Sequence, residues 1–126
     1  MTIAQQLNVK EFPFSIKDSK GQEIYAENSK GFWYKREYDS KGNEIYYENS
    51  KGDWIKREYD SEGNEIYWET STGYWVKREY DSNGNEIYWE NSNGQIYDHR
   101  PKTAVQKAID LLTKEGLLVD GKILKN

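Results

Sequence analysis

The sequence predicts a mainly β fold: a single-layer, twisted antiparallel meander of repeated β-hairpins, about nine strands wide, with one C-terminal amphipathic helix and a small terminal hairpin. Three observations carry that reading. The stretch Asp39–Tyr59, DSKGNEIYYENSKGDWIKREY, recurs almost unchanged as Asp18–Tyr38 and Asp60–Tyr80 and starts again at Asp81. Each copy divides into two similar halves, and each half opens with Asp or Asn, Ser, a variable residue and Gly, with Thr70 as the one exception at the first place. Between these turns lie short runs rich in Ile, Tyr, Trp and Val, the residues that fit a pleated, half-buried surface.

Residues 1–17 read as an N-terminal cap. Met1–Asn8 offers a short helix through Ile3–Leu7, too brief to stand without a tertiary contact. Glu11–Ile16, EFPFSI, matches the second half of the repeat by its distance to Asp18, which puts Phe12 in the tryptophan place. Pro13 has no N–H to give a ladder, so this strand belongs at the edge of the sheet.

Residues 18–100 are the array. In each turn the Asx or Thr side chain caps the backbone amides and glycine supplies the positive φ that ends the turn. The spacing from Asp39 to Asp60 to Asp81 is 21 residues, an odd number. If both turns of a copy were alike, successive copies would present opposite faces, because side chains alternate with period two. One hairpin per copy therefore carries an extra residue, most simply a bulge at the glycine of the Asn turn. That placement gives one face with Ile45, Tyr47, Ile55, Arg57, Tyr59, Ile66 and Trp68, and another with Glu44, Tyr46, Glu48, Trp54, Lys56, Glu58, Glu65 and Tyr67. Lys56 is then expected between Tyr46 and Tyr67 in a cation–π arrangement, and the stem of Arg57 over Ile45 and Ile66.

The fourth copy keeps its turn at Asn91–Gly94 and then departs, with Gln95 to Arg100 in place of the WxKRE pattern and Pro101 ending the strand. At ~4.8 Å per strand the sheet spans about 40 Å. In residues 101–126 the period changes. Thr103 is an N-cap, Val105, Ala108, Ile109 and Leu112 recur at helical spacing, and Gly116 closes a helix over Thr103–Glu115. Its apolar side calls for a partner, and the Ile/Tyr/Trp face of the sheet is the expected one. Leu117–Leu124 contains VDGKI, whose Asp-Gly centre predicts the terminal hairpin. The whole chain, 1–126, reads as a single domain.

Composition narrows the function. Only 35% of the 126 residues are hydrophobic while 15% are aromatic, and the mean hydropathy is -1.11. Tyrosine and tryptophan thus replace the usual aliphatic core, which suits rings packed on one side and wet at the tip. A net charge of -4 argues against a nucleic acid held by global charge. There is no cysteine, so neither disulfides nor thiolate chemistry is available. The N-terminal residues have no signal-peptide pattern and no run spans a membrane, so a soluble, cytoplasmic protein is expected.

The phrases REYDSKGN, REYDSEGN and REYDSNGN share a YDxxGN core, and over Asp18–Arg100 the array resembles the YD (RHS) repeats, in which β-hairpins wind a long strip into a shell. Arrays of KREYDSxGNEIYYENSxGxW also look like repeats of small bacteriophage proteins. That likeness implies the cytoplasm of a host and a host protein as target, such as a defence nuclease or a CRISPR effector that the chain inhibits. GFWYKREYDSKG and GYWVKREYDSNG are similar to the choline-binding cell-wall repeats, which implies a carbohydrate- or choline-type ligand as the alternative.

No catalytic set emerges from the residues. Glu44, Glu48, Glu58 and Glu65 could pair as acid and base but read as solvated rungs beside Lys56. Asp39, Ser40, Gly42 and Asn43 lack the alternating carboxylates of a calcium loop and read as a turn cap. Asp98 and His99 are adjacent, so a strand points them to opposite faces. Lys35-Arg36, Lys56-Arg57 and Lys77-Arg78, interleaved with aromatics, make a nucleic-acid-binding aromatic and basic sheet a further alternative, disfavoured because each pair is followed by a glutamate that mixes the local potential. Neither cofactor nor metal is predicted. The expected activity is a non-catalytic protein-binding module whose contacts come from Trp33, Tyr47, Trp54, Lys56, Trp68, Trp75, Lys77 and Trp89, with Asp98, His99 and Arg100 at the break in the repeat. Tyrosine, tryptophan and arginine are the residues enriched where interface energy concentrates. A homo-oligomer is the second partner class they imply.

Overall fold

A computed structural model of the chain describes residues 1–116 and the backbone of 118–119 and 122–123. Nine strands follow one another across one open antiparallel sheet: β1 (Phe14–Lys17), β2 (Glu23–Glu27), β3 (Trp33–Tyr38), β4 (Glu44–Asn49), β5 (Trp54–Tyr59), β6 (Glu65–Thr70), β7 (Trp75–Tyr80), β8 (Glu86–Asn91) and β9 (Ile96–Asp98). Every strand pairs with its sequence neighbour, so the fold is the meander that the turn spacing predicts. A short helix α1 (Ile3–Gln6) precedes the sheet, and α2 (Ala104–Lys114) follows it. Beyond α2, β10 (Leu118–Val119) pairs with β11 (Lys122–Ile123) as the expected terminal hairpin. The Asp-Gly centre assigned to its turn lies outside the described residues.

Both turns of a copy have the same construction. In the Asp turn, the Asp39 N–H donates to the Asn43 carbonyl and the Gly42 N–H to the Asp39 carbonyl. Asp39 Oδ1 accepts from the N–H groups of Lys41 and Asn43, both at 2.9 Å. The Asn turn repeats this with Asn49, whose Oδ1 accepts from Lys51 and Asp53. Gly42 sits at φ 89° and Gly52 at φ 87°, where a Cβ would strain the backbone.

The extra residue lies elsewhere than predicted. In the Asp hairpin, Tyr38 faces Glu44 while Glu37 faces Tyr46, which leaves Ile45 unpaired. The same shift recurs between Glu58 and Tyr59 and between Glu79 and Tyr80. The bulge is thus within strands β4, β6 and β8, not at the Asn-turn glycine, because both turns close with identical three-residue loops and the odd residue must go into a ladder. This moves Glu44 and Glu65 to the face of Arg57 and Tyr59. Ile45 instead lines a depression with Tyr46, Lys56 and Tyr67, and Ile66 lines the next with Tyr67, Lys77 and Tyr88.

The sheet is one layer, and among the described residues the buried hydrophobic side chains are Ala4, Tyr25, Ala26 and Val76. α1 packs at the β2 end, where Ala4 is completely buried. α2 keeps its helical period and its Thr103 cap, which accepts from the Gln106 N–H. The expected docking of its apolar side is not observed: Val105 is 70% exposed and Leu111 61%, and no α2 residue is buried.

Candidate functional site

The bulge sorts the predicted binding residues onto two different faces. Trp33, Trp54, Lys56, Trp75 and Lys77 share one with Lys35, here the lysine face. Tyr47, Trp68 and Trp89 share the other with Arg36, Arg57 and Arg78, here the arginine face. Cross-strand partners establish this, since Glu48 faces Trp54 and Tyr46 faces Lys56, whereas Tyr47 faces Ile55 and Arg57 faces Trp68.

On the lysine face, Trp33, Trp54 and Trp75 open alternate strands, about 9.6 Å apart. Lys56 lays its ammonium 4.9 Å from the centre of the Trp54 ring, and Lys77 lies 5.0 Å from that of Trp75. The cation–π partner is therefore the tryptophan two residues back on the same strand, where i and i+2 share a face, and not the tyrosines across the ladder. Trp33 stacks on Tyr25 at 6.0 Å, and Lys35 pairs with Glu48 at 3.2 Å. Tyr46 donates to Glu48 and Tyr88 to Glu90, both at 3.0 Å. The Lys35 and Tyr46 hydrogen bonds hold the Glu48 carboxyl below its ordinary range despite partial burial. Lys56, Glu58, Lys77 and Glu79 are exposed, so the tryptophans sit inside a mixed-charge rim.

Two structures bound this face. At one end Glu27, 3% exposed, accepts from Thr2 Oγ1 at 2.6 Å, the Ala4 N–H at 3.1 Å and Tyr25 OH at 2.8 Å. Burial works to raise its pKa, but the bonds from Thr2, Tyr25 and Ala4 outweigh it and hold the group below its usual value. Burial and the Glu27 carboxylate together push the Tyr25 phenol up to about 12. At the other end Arg100 lies 4.1 Å over the Tyr88 ring, donates to both oxygens of Asp98 at 3.0 and 2.8 Å, and reaches Glu79 at 3.2 Å. The Arg100 hydrogen bonds bring the Asp98 carboxyl down to about 2. The backbone N–H of His99 donates to the Ile87 carbonyl at 2.7 Å. Asp98 and Arg100 therefore act as an end clamp of the sheet at the break in the repeat.

The arginine face carries an arrangement that the misplaced bulge concealed. Arg36 lies between Glu23 at 3.7 Å and Glu44 at 3.2 Å. Arg57 lies between Glu44 at 3.5 Å and Glu65 at 3.6 Å, and Arg78 between Glu65 and Glu86, both at 3.5 Å. The result is one continuous ladder, Glu-Arg-Glu-Arg-Glu-Arg-Glu, across seven strands. Arg57 thus spans two carboxylates, not two isoleucines. Glu44 and Glu65 are neither an acid–base pair nor rungs beside Lys56, since each is held between two guanidinium groups. Parallel to the ladder runs an aromatic and aliphatic row: Tyr34 stacks on Tyr47 at 5.9 Å, Trp68 packs on Tyr74 at 5.3 Å, and Trp89 meets Tyr97 at 5.9 Å, with Ile55 and Val76 between them. On the other side Tyr38, Tyr59 and Tyr80 donate to the carbonyls of Glu23, Glu44 and Glu65, clasping each copy to the one before it.

Sequence reasoning missed Arg36, Arg57 and Arg78 as paired groups and Tyr74 and Tyr97 as members of the aromatic row. The signal was present in the recurrence of Arg and Glu at the repeat period, but assigning it required the position of the bulge. Among the described residues, no cluster of three or more His, Cys, Asp or Glu is placed to hold a metal ion. No helix among them is long and apolar enough to cross a membrane. The depressions on both faces are shallow and open, with about 180 Å³ over Arg36, Tyr47, Ile55 and Arg57 on the arginine face. Compared with known protein families and with curated proteins, the chain gives no match.

Proposed function

We infer that this protein is a non-catalytic binding module that holds another protein against its lysine face. The observation that carries the reading is the row Trp33, Trp54 and Trp75, with lysine ammonium groups lying over the last two rings at 4.9 and 5.0 Å. Large rings fixed on a rigid sheet and rimmed by exposed Lys56, Glu58 and Lys77 have the make-up of a reversible interface, with aromatic anchors inside a polar border. A choline-type ligand would have to displace the ammonium already lying on those rings. A nucleic acid would meet Glu48, Glu69 and Glu90, which alternate with the cations along the same face.

The likeness of the repeat to small bacteriophage proteins supports a host protein as the partner, a defence nuclease or CRISPR effector held in an inhibited complex. Affinity capture from bacterial host lysate with mass spectrometry tests this, using the wild type beside Trp54→Ala/Trp75→Ala. A host nuclease retained by the wild type, inhibited by it, and lost by the double variant with an unchanged circular dichroism spectrum is the expected result. Equal capture by both proteins would remove the lysine face as the site.

A further inference from the structure

The arginine face presents a separate problem, because its side chains are half-buried yet nothing among the described residues covers them. α1 packs against Glu27 on the opposite face, and α2 keeps its own side chains in solvent. The chain exposes 9486 Å², whereas a compact monomer of 14.9 kDa exposes about 7,000 Å². Part of that excess is the arginine face, a side of a one-layer sheet on which nothing among the described residues packs. The two faces also differ in kind. The lysine face wears its charges outward, while the arginine face has neutralised its own in the ladder and set an aromatic row beside it. Interfaces between identical subunits are the more apolar class.

We propose that the arginine face is a self-association surface, on which a second copy of this chain packs face to face about a two-fold axis parallel to the strands and lying between β5 and β6. The periodicity of the face excludes an axis on a strand and requires one between strands. An axis between β5 and β6 sets β5 of one copy against β6 of the other, β4 against β7, and β3 against β8. Arg57 then meets Glu65, Glu44 meets Arg78, and Arg36 meets Glu86, each pair occurring twice. An axis placed on β5 would instead set Arg57 on Arg57 and Glu44 on Glu65, juxtaposing like charges, which disfavours that register.

The row beside the ladder is compatible with the same axis. The axis between β5 and β6 sets Ile55 against Trp68 and Tyr47 against Val76, a large ring against a smaller aliphatic group in both cases. The axis on β5 would set Tyr47 against Trp68 and Ile55 against itself. Because the axis runs along the strands, aromatic row meets aromatic row and ladder meets ladder. The interface so formed is distinct from the lysine face, which remains free on the outside of both copies.

Sedimentation equilibrium on the full chain tests association, and spin-label distances test the register. A dimer is expected at micromolar concentration. Trp68→Glu, on the arginine face, should weaken it roughly tenfold or more, while Trp54→Glu, on the lysine face, should leave it intact. The chain has no cysteine, so labels report from single introduced sites in exposed turns. Lys30→Cys chains mixed with Asn93→Cys chains should give a distance of about 10 Å, against about 30 Å between two Lys30→Cys chains, from strand and sheet spacings. A wild-type monomer at ~100 μM, far above the dissociation constants of stable dimers, would overturn the proposal. So would a dimer lost in Trp54→Glu but kept in Trp68→Glu, or one in which the two Lys30 labels lie close together. If Trp68→Glu does not fold, the wild-type mass and the label distances still decide the matter. Loss of host-protein capture in the Trp54 and Trp75 variants with the dimer retained separates failure of this interface from failure of the lysine-face reading.

Discussion

The two ends of the sheet solve one problem by different means. A meander of identical hairpins has no intrinsic stopping point, and each terminal strand offers unpaired backbone groups to any neighbour. At the β1 end, Pro13 removes a donor and α1 delivers Thr2 and Ala4 to the buried Glu27. At the β9 end, a strand of three exposed residues is pinned by Arg100 through Asp98, Glu79 and the Tyr88 ring, all near the surface. The first is a desolvated polar network and the second a solvated clamp. Buried hydrogen bonds to a charge are costly to break, whereas surface ion pairs contribute little.

Glu27→Ala should break this contrast most forcefully. It strands two donors and a tyrosine hydroxyl at a buried site, and a loss of about 3 kcal/mol is expected in urea unfolding. Acid reproduces a milder form of the same break. The folded Glu27 pKa lies below the ordinary value of 4.5, so its contribution is complete above that value and disappears as the pH falls through the folded pKa. Below about pH 4.5 the Ala4 amide should lose hydrogen-exchange protection before the amides of β5 do, and simultaneous loss would contradict the assignment. In the middle of the array, Tyr59→Phe removes one clasp to the Glu44 carbonyl and should cost about 1 kcal/mol. Arg100→Gln should have the smallest effect, a melting curve close to wild type with increased exchange confined to β9. A global loss of stability in that variant would place the C-terminal clamp on a par with the buried one.

Much of the fold was legible because its determinants are local. The Asx and glycine residues of each turn fix the hairpins, Pro13 fixes the edge, and Thr103 with Gly116 fixes the ends of α2. The candidate site was legible only in composition. An odd repeat demands an extra residue, but no single residue announces where it goes, since Ile45 is as good a strand residue in a bulge as out of one. The choice between glycine and isoleucine moved Glu44 and Glu65 across the sheet and with them the entire ladder. The docking of α2 was expected from the apolar side of the helix alone, and the linker through Pro101 and Lys102 carries it clear of the face it was expected to cover.

The unpaired isoleucine of each Asp hairpin also makes the copies interchangeable. Since every 21 residues restore the same face, gain or loss of one whole copy would lengthen or shorten the sheet by two strands, about 9.6 Å, without turning any side chain over. Such a protein behaves as a ruler whose graduations are copies, so that unequal recombination between them can adjust reach while chemistry stays constant.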